Sequence, residues 1–284
     1  MTAQVDRLAA FLAGHPNVVL VRVASALGST PREEGAWMLV APRRIFGTIG
    51  GGQLEYMAID KARQMMRTPS FRKMGTLTLD VALGPEIGQC CGGRVALSAR
   101  IVDDALGAEL VAAAEAEAAA EPHVYIFGGG HVGRALAAAM RLLPVRPIVV
   151  ETRATEIAAL PRGTESRLTA VPEEVVREAP AGSAFLVLTH DHALDFLIAA
   201  EALKRGDAAY VGMIGSKTKK ATFRSWYLKS AGGSPQAFAR LVSPIGGDAV
   251  RDKRPAVIAA LAAAEVMTAL TLHGAGAALP ARSI

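Results

Sequence analysis

The chain has 284 residues, of which 51% are hydrophobic and 20% are charged, a balance that excludes a disordered chain and predicts a globular protein of two domains. Its formal charge is +5, but the basic residues are dispersed and aromatic residues make up 5%, so no nucleic-acid surface is expected. Two cysteines are too few for a disulfide framework or a four-ligand zinc site.

The most apolar segment, residues 256–272, is interrupted by Glu265. It is shorter than the roughly 18 residues that cross a bilayer, so it predicts a buried helix and not a membrane segment. Residues 1–14 carry Asp6 and Arg7 within an amphipathic pattern, and no secretory signal is expected there. We therefore expect a cytoplasmic protein.

The first domain, residues 1–104, is predicted to be of the α+β class. Its pattern alternates helical apolar spacing with short β-branched runs. Helices are expected at residues 2–12 and from the glycines near 50 to about 66, and strands at 17–26, 37–40, 76–81 and 94–102.

Two loops of this domain contain residues suited to binding a ligand. Residues 28–35 are dense in hydroxyls and turn formers, although a plain connecting loop is the alternative. Gly50, Gly51 and Gly52 precede a helix, where free backbone N–H groups can bind an anion such as phosphate. No Gly-Lys-Ser/Thr follows them, which excludes a standard P-loop.

Both cysteines lie in a third loop, where Gln89, Cys90 and Cys91 are flanked by glycine. Glycine removes the Cβ that would block close approach, so this loop is predicted to hold a reactive sulfur. On a regular strand Cys90 and Cys91 would point to opposite faces, so one could be buried while the other reacts. The alternative is that both are small core residues.

The second domain, residues 122–284, is predicted to be a Rossmann-like doubly wound parallel sheet, because strands and helices alternate along it. Residues 105–121 are rich in alanine and glutamate and predict a helical connector. Strands are expected at residues 123–127, 147–150, 184–188 and 209–213, and helices at 134–142, 172–178, 193–204, 218–229 and from Pro255.

The first strand of this domain runs into a Gly-x-Gly-x-x-Gly turn formed by Gly128, Gly130 and Gly133, with His131 inside it. Such a turn between a strand and a helix is the dinucleotide fingerprint. Glu151 ends the next strand, where a ribose-binding acid is expected, and it favours an unphosphorylated ribose, although Arg153 two residues later could also accept a 2′-phosphate. The alternative is a Rossmann turn without a dinucleotide.

Thr189-His190-Asp191-His192, with Asp195 one turn later, follows another predicted strand. This cluster could bind a metal or transfer protons. The alternative is that Asp191 caps the next helix and the histidines line the cleft.

Gly215, Ser216 and Lys217 follow the next strand and precede a helix. A glycine turn, a hydroxyl and a lysine at a helix N-terminus suit an oxyanion or a phosphate. A solvated basic helix end is the alternative.

These loops occur in the order seen in the XdhC/CoxI family, and the chain resembles that family. Its members are accessory proteins for the maturation of xanthine dehydrogenase and carbon monoxide dehydrogenase. The resemblance covers nearly the whole chain. It rests on residues 28–33, 47–55, 88–93, 127–133, 189–192 and 214–217.

The resemblance implies a molybdenum cofactor chaperone and not a subunit of the finished enzyme. Members of the family are understood to bind the cofactor and to protect it while a cysteine desulfurase supplies its sulfido ligand. They then deliver it to the molybdenum-binding subunit of the target. It also implies a homodimer and a non-catalytic maturation factor. A thiolate from Cys90 or Cys91 suits contact with molybdenum or with a transferred sulfur atom.

Two other functions are weighed against this one. An NAD(P)-dependent oxidoreductase would use His131, His190 or His192 as the proton donor, but no Tyr-x-x-x-Lys pair accompanies the glycine turn. A metal-dependent hydrolase would use the acidic and imidazole side chains of residues 190–195.

Overall fold

A computed structural model describes residues 3–68, 75–84 and 92–274. The chain divides into two compact units, Met1–Ala119 and Ala120–Ile284. Gln89, Cys90 and Cys91 lie outside the described residues, so the predictions made for them stay predictions.

The first unit contains a five-stranded antiparallel sheet in the order β3-β2-β1-β5-β4. The predicted α+β class is confirmed, because helices precede, interrupt and follow these strands. The elements are α1 (Ala3–Gly14), β1 (Val19–Leu27), β2 (Trp37–Val40), β3 (Ile45–Gly47), α2 (Gly52–Arg67), β4 (Thr76–Ala82), β5 (Arg94–Ile101) and α3 (Asp104–Ala120).

Helix α2 covers one face of this sheet with a buried stripe that includes Leu54, Ala58, Ala62 and Met65. The spacing of four, four and three residues places these side chains on one side of the helix. Helices α1 and α3 contribute to a second apolar cluster, formed with β-strand residues that alternate with those of the first. The sheet is therefore covered on both faces over part of its width.

Helix α3, which lies over the predicted helical connector of residues 105–121, packs within the first unit. Leu106 and Leu110 are buried in the same cluster as Leu8 and Leu20. Four-residue spacing puts both leucines on one helix face, which gives the alanine-rich helix an apolar contact of its own.

The second unit is built on six parallel strands in the order β11-β10-β9-β6-β7-β8. Counted from β6 and read from the β8 edge, this is the 3-2-1-4-5-6 order of a Rossmann fold. The strands are β6 (His123–Phe127), β7 (Arg146–Glu151), β8 (Glu165–Leu168), β9 (Ala184–Val187), β10 (Tyr210–Met213) and β11 (Leu241–Val242).

Helices cover both faces of this sheet, which confirms the predicted doubly wound architecture. The buried residues of α4 and α10 pack on one face and those of α6, α7 and α8 on the other. The helices are α4 (His131–Met140), α5 (Ala154–Ala158), α6 (Pro172–Glu178), α7 (His192–Lys204), α8 (Lys217–Lys229), α9 (Pro235–Ala239) and α10 (Pro255–Gly274).

The helix predicted from the apolar run is longer than that run and is buried along one stripe only. Among the described residues, α10 is the one helix long and apolar enough to cross a membrane, and 28% of its best 18-residue window is buried. Glu265 accepts hydrogen bonds from the Tyr210 hydroxyl and from Gly246 N, both at 2.8 Å. The charged residue that interrupts the apolar run thus joins α10 to strand β10 and to the loop at Gly246.

The elements that the sequence did not predict are short or polar. The two-residue β11 and three-residue β3 give too few positions for an alternating pattern, and α5 and α9 each span five residues. All four residues of the edge strand β8 are exposed, so its side chains carry no apolar signal.

Candidate functional site

Two of the predicted loops and the end of the cysteine loop converge in the first unit. A Cβ added to Gly50 would lie 2.4 Å from Pro31 Cβ, and a Cβ added to Gly93 would lie 2.2 Å from Ser29 O. Real Cβ atoms essentially never approach so closely, so both positions need glycine. Loop 28–35 therefore contacts the glycine-rich loop and also the residue two positions after Cys91.

The glycine-rich loop is organised by Glu55, whose Oε2 accepts hydrogen bonds from Thr48 Oγ1 at 2.5 Å, Ile49 N at 3.0 Å and Gly51 N at 3.1 Å. Gly50 N donates to Thr48 Oγ1 at 3.0 Å. Three N–H groups of this loop, two of them from Gly50 and Gly51 of the predicted anion site, thus already have acceptors within the chain. The assignment of Gly50, Gly51 and Gly52 to cofactor binding stays a prediction. The Glu55 carboxylate, an anion of the chain itself, already lies beside them.

Arg32 supplies a cation to this group of loops. Its guanidinium donates to Thr48 O at 3.5 Å and pairs with Glu33 at 3.1 Å, and its side chain is 38% exposed. The sequence analysis gave Arg32 no role of its own, although it is the single basic residue of a loop rich in hydroxyls and turn formers.

The candidate residues of the second unit lie at or just after the carboxyl ends of neighbouring parallel strands. Phe127 is in register with Val150 and Val187, and Val187 is in register with Met213. The loops that follow β6, β7, β9 and β10 consequently start side by side, at the edge where ligands bind in open α/β sheets. Topology thus brings together the fingerprint, Glu151 and the two later loops.

Each fingerprint glycine has a separate reason to be glycine. Gly128 has a φ of 119°, and an added Cβ would lie 2.4 Å from Leu188 O. An added Cβ on Gly133 would lie 1.9 Å from Gly128 O, so this glycine lets α4 pack against the turn. Gly130 is the N-cap of α4, and its added Cβ would meet nothing within 4 Å, which leaves room for a phosphate. His131 beside it is exposed.

Glu151 is buried at the end of β7 and joins it to the glycine turn. Its carboxylate accepts Gly129 N at 2.8 Å, Thr152 N at 2.8 Å and Arg153 N at 3.1 Å. Arg153 also donates Nε at 3.2 Å and Nη2 at 3.1 Å. Burial by itself would raise the pKa of Glu151, but the Arg153 side chain and three backbone N–H groups outweigh it and lower the pKa to about 2.

This lowered pKa predicts acid-sensitive stability. Because the folded pKa of about 2 lies below the usual 4.5, ionised Glu151 stabilises the fold above pH 4.5, and that contribution is lost as the pH falls toward 2. Its full size is roughly 3 kcal/mol. Denaturant titrations from pH 2 to 7 should show a steeper acid loss for the wild type than for Glu151→Gln. Parallel curves for the two proteins would contradict the prediction.

A second pair of charges lies beside Glu151. Glu156 of α5 pairs with Arg134 of α4 at 3.2 Å and with Arg153 at 3.6 Å, and its Cβ would lie 3.3 Å from a Cβ added to Gly129. Of the two residues paired at the end of β7, Arg153 is the partly exposed one, with 37% of its side chain accessible against 3% for Glu151.

In the loop after β9, Asp191 caps α7 by accepting Ala193 N at 2.7 Å and Leu194 N at 3.3 Å. These two N–H groups hold the pKa of Asp191 below its usual value. His190 and His192 are exposed. Asp191 therefore caps α7 as the alternative predicted, and the roles of the exposed imidazoles toward a ligand stay predictions.

Asp195 is fully buried and forms an ion pair with Lys219 of α8. Its other oxygen accepts Thr189 N at 2.9 Å and Thr189 Oγ1 at 2.7 Å. Lys219 Nζ also donates to Ile214 O at 3.0 Å. The pair joins the loop after β9 to the loop after β10.

Local packing explains why Gly215 and Ser216 stand directly before α8. A Cβ on Gly215 would lie 2.6 Å from Lys219 Cδ, so this glycine lets the lysine stem reach inward. Ser216 caps α8 by accepting Lys219 N at 3.2 Å. Lys217, which the sequence favoured as an anion ligand, is exposed, and its role toward a ligand stays a prediction.

The metal-dependent hydrolase is not supported by this geometry. Among the described residues, no group of three or more His, Cys, Asp and Glu side chains could hold a metal ion. The carboxylates of Asp191 and Asp195 are already hydrogen-bonded by a helix end and by Lys219.

Sequence reasoning missed Lys219 and the structural role of Asp195. A signal existed, since Asp195 lies three, four and seven residues before buried Ile198, Ala199 and Ala202. A carboxylate on the inward face of an apolar helix requires a buried partner.

Comparisons with known proteins agree with this two-unit description. The family model for the XdhC Rossmann domain matches residues 124–266, and that for the XdhC and CoxI family matches residues 11–80. Uncharacterized protein YqeB of Escherichia coli (strain K12) is 27% identical over 261 residues, which are 87% of this chain but 42% of that protein's length. A crystal structure described as a xanthine dehydrogenase from Bacillus halodurans has a TM-score of 0.77 at 18% identity, covering 95% of this chain and 96% of that one. The last match shows a shared fold, whereas the two family models together span most of the sequence, and the chain therefore belongs to the XdhC and CoxI family.

Proposed function

We propose that this protein is a molybdenum cofactor chaperone that protects the cofactor, supports its sulfuration and delivers it to a xanthine dehydrogenase-type molybdoenzyme. Family membership and the fold shared with a protein described as a xanthine dehydrogenase support a role in maturation. The observation that carries the proposal is the contact of loop 28–35 with both Gly50 and Gly93.

The chemistry of these loops suits that cargo. Molybdopterin carries a phosphate and two soft sulfurs on its metal, so a binding site needs an anion-binding group and can use a thiolate. Arg32 is a partly exposed cation beside the glycine-rich loop. Gly93 holds the end of the cysteine loop against Ser29. We assign contact with molybdenum or its sulfur to Cys90 or Cys91, and this assignment rests on their sequence position.

The proposal includes partners and a location. A cysteine desulfurase would supply the sulfur, and the molybdenum-binding subunit of the target would accept the loaded cofactor. We place this exchange in the cytoplasm and assign a homodimer to the chaperone.

Cysteine variants of the full chain test the proposal directly. Cys90→Ala, Cys91→Ala and the double variant should be purified from cells that make the cofactor, with bound molybdenum and pterin measured per chain. We expect the double variant to bind the cofactor at least about tenfold more weakly, the change given by roughly 1.4 kcal/mol of lost contact, and to purify with less of it. Unchanged binding together with unchanged activation of the target would refute the cysteine role.

A second variant tests the loop arrangement independently of sulfur chemistry. Gly93→Ala should displace loop 28–35 and lower cofactor binding, because its Cβ would lie 2.2 Å from Ser29 O. Gly84→Ala is the matched control, since its Cβ would meet nothing within 4 Å. Equal cofactor loading of both variants would show that the loop contact does not contribute.

A further inference from the structure

The Rossmann unit has a glycine turn of the dinucleotide-binding type. The carboxylate expected to bind the ribose, however, already has hydrogen-bond partners within the chain. Gly128, Gly130 and Gly133 have the tight turn, the open approach and the close helix packing that the dinucleotide fingerprint requires. In that arrangement the acid after the second strand normally receives the ribose 2′-hydroxyl. Here, Glu151 is 4% exposed and receives two N–H groups of the Arg153 guanidinium.

The group that an incoming ribose would meet at this end of the turn is the guanidinium of Arg153, which covers Glu151 and is partly exposed. A ribose hydroxyl would have to displace that guanidinium from a buried carboxylate. A phosphate dianion would instead attract it, because the planar guanidinium fork matches phosphate oxygens.

Moving Arg153 onto a phosphate would not leave Glu151 without partners. The carboxylate would keep the backbone N–H groups of Gly129, Thr152 and Arg153 itself. A second guanidinium, that of Arg134, lies nearby, since it pairs with Glu156, which also pairs with Arg153. The two guanidiniums therefore offset the charges of Glu151 and Glu156 at this position.

We propose that the glycine turn of the Rossmann unit binds a 2′-phosphorylated adenine dinucleotide of the NADP(H) class, and that Arg153 selects it over NAD(H). Gly130 and the N-terminus of α4 would receive the pyrophosphate, and Arg153 would receive the 2′-phosphate. This site goes beyond the proposed chaperone role and does not depend on it.

Calorimetric titration of the full chain with NADPH, NADH, 2′,5′-ADP and 5′-AMP tests the proposal. We expect NADPH to bind roughly 10- to 100-fold more tightly than NADH, the range of one hydrogen-bonded charge contact. The same preference is expected for 2′,5′-ADP over 5′-AMP. Equal affinities, a preference for NADH, or no binding of either dinucleotide would overturn the proposal.

Three variants distinguish an effect on dinucleotide selection from an effect on folding, and a thermal melt is run on each. Arg153→Gln should abolish the preference, and Arg153→Lys should retain part of it, because an ammonium keeps the charge but loses the fork. Gly130→Ala should weaken both dinucleotides equally, since its Cβ enters the space left for the pyrophosphate while contacting nothing in the fold. A folded Arg153→Gln protein with an unchanged preference would remove Arg153 from the site.

Discussion

Replacing Asp195 with alanine is expected to lower the free energy of unfolding of the Rossmann unit by about 3–5 kcal/mol, the cost of leaving one member of a buried ion pair uncompensated. Asp195 is fully buried, and the Lys219 side chain is 8% exposed, so the substitution would leave the Lys219 ammonium buried without its carboxylate partner. Thr189 N would lose its acceptor as well. The change can be followed by denaturant titration in a Trp37→Phe background, where Trp226 is the single remaining tryptophan and packs against the core of the second unit.

Two controls distinguish the loss of the ion pair from a general sensitivity of these loops to substitution. The double variant Asp195→Leu/Lys219→Met should be more stable than Asp195→Ala, because apolar replacement of both partners removes the stranded charge. Lys217→Met, on an exposed lysine two positions away, should change stability by less than about 0.5 kcal/mol. A double variant no more stable than Asp195→Ala would show that the charge pairing does not account for the loss.

The second large effect is expected from Gly133→Ala, at the upper end of the roughly 1–3 kcal/mol that overpacking costs. The added Cβ would lie 1.9 Å from Gly128 O and 3.2 Å from Leu188 Cδ1. Neither α4 nor the turn can move without disturbing strands β6 and β9, because the turn follows β6 directly and contacts the end of β9. The Trp226 signal in the same background measures the change.

Gly130→Ala is the matched control for this position. It adds the same methyl group to the same turn but meets nothing within 4 Å, and its φ of −67° suits alanine. Its cost should stay below about 1 kcal/mol, because alanine is only a poorer helix cap than glycine. Equal losses for the two variants would contradict the distinct roles assigned to the two glycines.

Local patterns in the sequence determined much of the fold. The β-branched runs and the regular alternation in the second half predicted the α+β unit and the doubly wound sheet, because side-chain periodicity depends on which face is buried. The strand-turn-helix context also identified the glycine turn, because the strand before it and the helix after it could be recognised from their own side-chain patterns. The short elements β3 and β11 were missed because they are too short to show a period.

Only the tertiary structure decided how the polar residues pair. The sequence pointed to Lys217 as an anion ligand, and it did not show that Lys219 reaches the interior, where Gly215 leaves space for its stem. It offered Glu151 to a ribose, whereas the fold surrounds that carboxylate with Arg153 and backbone N–H groups. Residue spacing along the chain shows which face of an element is apolar, but the partner of a buried charge lies on another element. That partner is fixed by the order of the strands and by the loops that their register brings together.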